Sequence, residues 1–433
     1  MVVFNIPRDI TPVRSLNTAK YILNCDYSEE YYYDFSRMQN CHPFGLLVIA
    51  SAIRKNRKRF PRSSHTAIGA NDSQGGRFAA TLGFFQSVGF DIGLYREESE
   101  IGYYYIPIKR ITAKQLHDTY QDTIVLNEKV DLHAAALADT IVSGSPVQVR
   151  KAIQYCLREI MRNTFEHAKT DCLWVCGQYW PSRNEAEIAI LDEGIGILRS
   201  LQSNSLIKVS TCQQANSLAL QPGLTSKLGL KQDDDFWHNS GYGLYVASTL
   251  CAISSGYFLL SSGDSAILIN NQNHIQKQVE YEANQIGTAI CLNLRPTNPN
   301  LRNFQKTLDA IVAEGEEKAK ENGQQRIISA SKVTTIASMI GHIERSVRSV
   351  PTTSTTSVVP LNTEVEFHVQ RANAQGELIG FFNYKDVDYS GRLLNISKFN
   401  REKYVSINAI IPAVVRKYKG EYYNLFERHA VNI

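Results

Sequence analysis

Two periodicities alternate along the chain. Residues 29–34 (EEYYYD) read as a strand. The next stretch, 43–58, carries Leu46, Leu47, Val48, Ile49 and Ile53 and has the length and spacing of a largely buried helix with Pro43 in its first turn. Residues 66–70 predict a short strand and 76–88 another helix, so 1–110 has the rhythm of a small α/β unit. One or two helices are predicted over 112–145 and a long one over 147–169. Residues 173–180 and 185–191 are paired strands about the turn Pro181-Ser-Arg-Asn. The stretch 196–240 is polar and irregular, and a connection of that length is functional or mobile. A helix over 242–253, a strand over 257–261 and an alternating strand over 288–294 close the region at Arg295-Pro296.

The texture changes from Leu301. Residues 304–321, rich in Ala, Glu and Lys, predict an exposed helix. Residues 346–360 (SVRSVPTTSTTSVVP) form a Ser/Thr/Val linker with little core potential. Strand-like alternation with many Tyr and Phe returns over 364–433. The pattern therefore predicts an α/β (α+β) chain divided as 1–110, 111–300, 301–360 and 361–433, the last a small β-rich module of unassigned role.

Composition narrows the class. The chain has 433 residues, is 43% hydrophobic and 20% charged, and its net charge of +4 is too mild to indicate nucleic acid. Eight scattered cysteines make no CxxC pair, and Cys172 and Cys176 have no second pair to complete a zinc set. They read as reduced thiols of a cytoplasmic protein. The N-terminus lacks the basic region and apolar core of a signal peptide, and the longest apolar run, 242–260, is broken at Ser254-Ser-Gly, so no membrane segment is expected. Arg54-Lys-Asn-Arg-Lys-Arg59 is the densest basic run. It reads as a solvated helix end, where the dipole favours cations, in preference to a nucleic-acid or acidic-partner patch.

Three polar clusters carry candidate chemistry. Glu159, Asn163 and Glu166 share one helix face at i, i+4, i+7. Asn163 offers a neutral oxygen to a hard cation such as Mg²⁺, and Glu159 could orient or deprotonate a water. Asp192, at a strand end, can accept from an exocyclic amine such as that of adenine, and Gly194 and Gly196 would let backbone approach a base or sugar. Gly241 and Gly243 open a helix whose free N–H groups suit phosphate. Neither GxxxxGK[ST] nor a strand-borne GxGxxG is present, which excludes a P-loop and leaves a Rossmann site unsupported.

In order, Glu159-x-x-x-Asn163, Asp192-x-Gly194-x-Gly196, Gly241-x-Gly243-Leu244 and Gly287-Thr288 resemble the Asn box, the two glycine boxes and the final-strand box of the GHKL ATPases, over about residues 115–296. That superfamily includes DNA gyrase, heat-shock chaperones, histidine kinases and mismatch-repair proteins. The resemblance implies a Bergerat-fold α/β sandwich holding ATP and Mg²⁺ under a mobile lid. It implies Asn163 as Mg²⁺ ligand, Asp192 as adenine reader, Glu159 as water-activating base, Gly194, Gly196, Gly241, Gly243, Leu244 and Thr288 as nucleotide contacts, and 196–240 as the lid. Gly223-Leu-Thr225-Ser226-Lys227 resembles a phosphate-side segment of related lids.

A second resemblance lies upstream. Asp34-Phe-Ser36 through Gly45-Leu46 is similar to the STAS-domain pattern of anti-sigma-factor antagonists. Where that pattern has its phosphoacceptor serine pair this chain has Pro43 and Phe44, and His42 replaces the preceding Asp, so the unit should not be phosphorylatable. The two resemblances together imply a bacterial regulatory or stress-response protein with a protein partner, and the first makes a homodimer an expectation. Three activities stay open: an ATP-hydrolysing conformational switch, an anti-sigma-type protein kinase, and a nucleotide-gated interaction protein without turnover. A two-component histidine kinase is disfavoured, because His117 leaves no room for an upstream acceptor hairpin.

Overall fold

The computed structural model describes residues 1–93, 104–119, 126–224, 241–272 and 275–321, and the backbone of five strands within 364–427. The chain forms two compact units, Met1–His342 and Ile343–Ile433. It mixes helices and sheets, as the alternating periodicities predict.

The first unit opens with β1 (Val2–Asn5), the short β2 (Asp9–Ile10), α1 (Pro12–Leu23), β3 (Glu30–Asp34), the short β4 (Asn40–Cys41), α2 (Pro43–Arg59) and β5 (Ser64–Ile68). Strands β1, β3 and β5 make a parallel sheet in that order, the consequence of two β-α-β crossovers. The helix expected over 76–88 is two, α3 (Gln74–Thr81) and α4 (Phe84–Ser87). Gly83 between them takes a left-handed φ of 75°, which ends one helix and starts the next in a new direction.

Next in the chain comes a second sheet. Its strands are β6 (Tyr105–Thr112), β7 (Cys172–Trp180), β8 (Glu185–Asp192), β9 (Tyr257–Gln272) and β10 (Ile275–Leu294), ordered β6-β7-β8-β10-β9 with every neighbour antiparallel. Helices α5 (Ala113–Thr119), α6 (Leu126–Ile141), α7 (Val147–His167), α10 (Gly243–Ile253), α11 (Pro299–Arg302) and α12 (Phe304–Glu321) belong to this part of the chain. Between β8 and α10 stand α8 (Gly196–Gln202) and α9 (Cys212–Ala219). The stretch expected to be irregular thus carries two helices over 196–219, while 225–240, with Thr225, Ser226 and Lys227, lies outside the described residues. The linker at 346–360 does too. Strands β9 and β10 run far beyond the apolar segments 257–261 and 288–294. They continue as a hairpin arm that stays anchored in the core through Ala266, Ile267 and Ile269, and register shifts between Glu282 and Thr288 mark where it leaves the pairing with β8.

The central sheet is covered on both faces. Ala186, Ile188 and Ile190 of β8 join a core with Val149, Ile153, Leu157, Val246 and Leu250 from α7 and α10. Ala189 and Leu191, on the opposite face, join a core with Leu47, Ile49 and Ile53 of α2 and with Phe4, Tyr31 and Tyr33 of the parallel sheet. Helix α2 therefore lies between two sheets, which accounts for a helix apolar nearly all round. Double coverage likewise explains why β8 reads as a continuous apolar run rather than an alternating one.

The second unit contains β11 (Glu364–Ala372), β12 (Leu378–Tyr384), β13 (Val387–Leu394), β14 (Ile410–Lys419) and β15 (Tyr422–Glu427). They close a barrel in the order β11-β12-β13-β15-β14, with β13 and β15 the parallel pair, and closure leaves no free strand edge. The expected β-rich module is this barrel.

Candidate functional site

Five separated segments meet at one cleft on the helical side of the central sheet, one of them contributing Ala219 and Leu224. Ile160, Asn163, Thr164 and His167 come from α7, and Ile190 and Asp192 from the end of β8. Gly196 and Ile197 open α8; Gly241, Gly243 and Leu244 open α10; Thr288 and Ile290 come from β10. Seven of the predicted positions, Asn163, Asp192, Gly196, Gly241, Gly243, Leu244 and Thr288, line it. Gly194 lines an adjoining recess with Arg199, Ser262 and Gly287.

Register builds the floor. Antiparallel pairing sets Thr288 of β10 opposite Asp192 of β8, and Ile290 opposite Ile190, so a polar pair and an apolar pair succeed each other on one face. Beyond Asp192 the chain turns, and the Gly194 N–H donates to Asp192 Oδ1 at 2.9 Å. Gly287 lies against that carboxylate with φ of 70°, and a Cβ there would stand 2.6 Å from Asp192 Oδ1. Only glycine fits both demands. Asp192 is 4% exposed. Burial pushes its carboxyl up to about 6, opposed by hydrogen bonds from Gly194 and Thr288. A buried carboxylate with a remaining acceptor direction is suited to an amine donor on a flat ring, and Ile160, Ile190, Ile197, Leu244 and Ile290 supply apolar walls for one.

Asn163 is the amide on this cleft. Among the described residues no group of three or more His, Cys, Asp or Glu is placed to hold a metal. Mg²⁺ is ordinarily held by one or two carboxylates with waters and substrate phosphates; Asn163 offers one neutral oxygen, which fits the ion only where phosphates and waters complete the shell. The start of α10 adds backbone N–H groups for those phosphates.

Glu159 is set apart from the other predicted residues. It does not line the cleft. It sits behind the first turn of α10, where a Cβ on Gly243 would stand 2.5 Å from Glu159 Oε2. Its Oε1 accepts from Arg158 Nε at 3.1 Å and Nη2 at 2.8 Å, with Arg162 Nη1 at 3.7 Å. Burial would raise its carboxyl, but Arg162 and Arg158 outweigh it and hold the group below its ordinary value. A carboxylate so clamped is a weak base.

The charge network on the opposite face of β8 escaped sequence reading. Glu187, wholly buried, accepts from His42 Nδ1 at 2.7 Å, Tyr257 Oη at 2.8 Å and the Phe44 N–H at 3.2 Å. It caps α2, whose N-cap residue His42 makes no side-chain cap of its own. Burial would raise the Glu187 carboxyl; His42, Phe44 and Tyr257 hold it below normal. Burial would lower the His42 imidazole, and Glu187 raises it above normal. Arg54 also departs from the solvated helix end expected for the basic run: its side chain is 11% exposed and bound to Glu193. Sequence spacing gives no sign of this, because the partners stand far apart in the chain.

No protein-family model matches the chain, and no curated protein matches it in sequence. No helix among the described residues is long and apolar enough to cross a membrane.

Proposed function

We propose that the cleft binds ATP with Mg²⁺ in the manner of the GHKL class, and that the chain is a nucleotide-driven conformational switch in bacterial regulation, acting on a protein partner. The observation that carries this reading is the convergence of Asn163, Asp192, Gly241, Gly243 and Thr288, from four distant segments, on one apolar-walled cleft. Asp192 reads the adenine amine, Asn163 holds Mg²⁺ together with the phosphates, and the first turn of α10 receives the phosphates. Once ATP is bound, the first reading is hydrolysis, with Glu159 activating water; phosphotransfer to a separate protein is the runner-up.

The double arginine clamp on Glu159 favours a second reading of turnover, in which Glu159 supports α10 and the protein senses ATP without hydrolysing it. ATP binding and phosphate release by wild type, Glu159→Ala and Asp192→Asn separate these. A hydrolysing switch predicts Mg²⁺-dependent phosphate release lost in Glu159→Ala while ATP still binds. A sensor predicts tight binding with no release from wild type. Phosphotransfer predicts γ-phosphate label on protein. Wild type that binds no ATP in the presence of Mg²⁺ refutes the proposal.

A further inference from the structure

Strand β8 ends at the cleft, yet the turn beyond it is held from the other side of the sheet. Glu193 comes directly after Asp192, and its Oε1 receives three donors from α2: Ser51 Oγ at 3.0 Å, Arg54 Nε at 3.1 Å and Arg54 Nη2 at 2.8 Å. The Arg54 guanidinium lies 3.9 Å from the centroid of the Trp174 ring on β7. Stacking and the two-pronged contact together fix the fork in one place. Earlier on the same strand, Glu187 caps the start of the same helix. Helix α2 thus grips β8 at two points, one on each side of the apolar residues Ala189 and Leu191.

Stability alone does not account for an arginine here. Arg54 Nη1 is buried with no partner among the described residues, and a buried ion pair is often no more stabilising than apolar side chains of similar volume. What the fork supplies is a definite position and a neutralised charge for the residue beside Asp192. Glu193's charge adds to the upward push on the Asp192 carboxyl, and Arg54 is the cation that offsets it.

We propose that Arg54 is a positioning residue for nucleotide recognition: through Glu193 it holds the Asp192–Gly194 turn, so that the N-terminal α/β layer sets how tightly and how selectively the cleft binds a purine with an exocyclic amine. This rests on the reading of Asp192 as the adenine contact. It also makes α2 the element through which anything bound by the N-terminal layer would change nucleotide affinity, since a shift of α2 moves Glu193 and the turn with it.

The test compares ATP with ITP, whose base carries an oxygen in place of the amine, in calorimetric titrations of the full chain with Mg²⁺. Wild type binds ATP more tightly than ITP. Arg54→Gln, which leaves Glu193 uncompensated next to Asp192, lowers ATP affinity about tenfold and ITP affinity about twofold or less, so selectivity falls. Arg54→Gln combined with Glu193→Gln removes both charges and recovers most of the ATP affinity. Arg54→Lys, which keeps the cation and guards against loss of folding, gives an intermediate value because it lacks the fork. Equal losses for ATP and ITP, or no rescue in the double variant, make Arg54 merely structural and overturn the inference. Wild type that does not discriminate ATP from ITP instead refutes Asp192 as the base reader, and the inference falls with it.

Discussion

Replacing Asp192 by Asn separates what this residue contributes to binding from what it costs the fold. The carboxyl ordinarily titrates at 3.8 and is pushed to about 6 by burial. At about 1.36 kcal/mol per pKa unit, the ionised side chain destabilises the native state by roughly 3 kcal/mol above pH 6. An amide keeps an oxygen to accept from the Gly194 N–H but brings an NH₂ group that needs its own partner, an offset of roughly 1–2 kcal/mol. Asp192→Asn is therefore expected to stabilise the nucleotide-free protein by roughly 1–2 kcal/mol at pH 8, a rise of a few degrees in Tm. The sign is set by linkage: the folded pKa is raised, so the penalty is complete above about 6 and disappears as pH falls towards 3.8. The stabilisation should shrink steadily between pH 7 and pH 4. Over the same series ATP affinity should fall, because the amide turns a donor towards the adenine amine. Thermal melts of both proteins at several pH values, with and without ATP, measure all of this. A variant that melts below wild type at pH 8, or whose gain in Tm is the same at pH 5 and pH 8, refutes the account of Asp192 as a strained, functional carboxylate.

Glu187→Ala should destabilise the protein by about 2–4 kcal/mol, because it removes the buried partner of the half-buried His42 and of Tyr257 and uncaps α2, and denaturant melts would register the loss; a change under about 1 kcal/mol would deny the network any structural role. The His42–Glu187 pair also predicts a pH window. His42's folded pKa is raised above 6.5, so its share of the stability is complete below 6.5 and fades as pH rises through the higher folded value. Glu187's folded pKa is lowered below 4.5, so its share is present above 4.5 and fades as pH falls through the lower folded value. A His42→Gln variant should flatten the alkaline side of the stability profile, and an unchanged profile would count against the pair. Gly243→Ala drives a methyl into the Glu159 carboxylate and should cost about 1–3 kcal/mol, read in the same melts.

Much of the site was legible because its chemistry is written in local signals. Asp192 with its glycines, the i, i+4 spacing of Glu159 and Asn163, and Gly241 with Gly243 at a helix start each state a local geometry before any fold is known. Register then did what spacing could not, setting Thr288 across from Asp192 and Ile290 across from Ile190. Strand β6 was missed because Tyr105–Thr112 mixes Pro, Lys and Arg with its apolar residues, and as an edge strand it tolerates them. The continuation of β9 and β10 was missed because its apolar residues, Ala266 to Ile269 among them, form a short run between polar stretches, and its full length is specified by the pairing of the two strands with each other.

The roles of the charged residues divide along the same line. Residue type and spacing alone singled out Asn163 and Asp192 among the polar side chains that line the cleft, because a helix face or a strand end is fixed by the backbone within a few residues. Spacing placed Glu159 and Asn163 on one face of α7, but only the packing of α10 over Glu159, with arginines on either side, separated the first from the cleft that holds the second. The basic run suggested a solvated end for Arg54, and only the stacking of two sheets about α2 brought it to Glu193 and Trp174. Contacts between residues distant in sequence depend on how layers come together. Burial then decides what each charge can do, since it changes the cost of ionisation and the choice of partner at once.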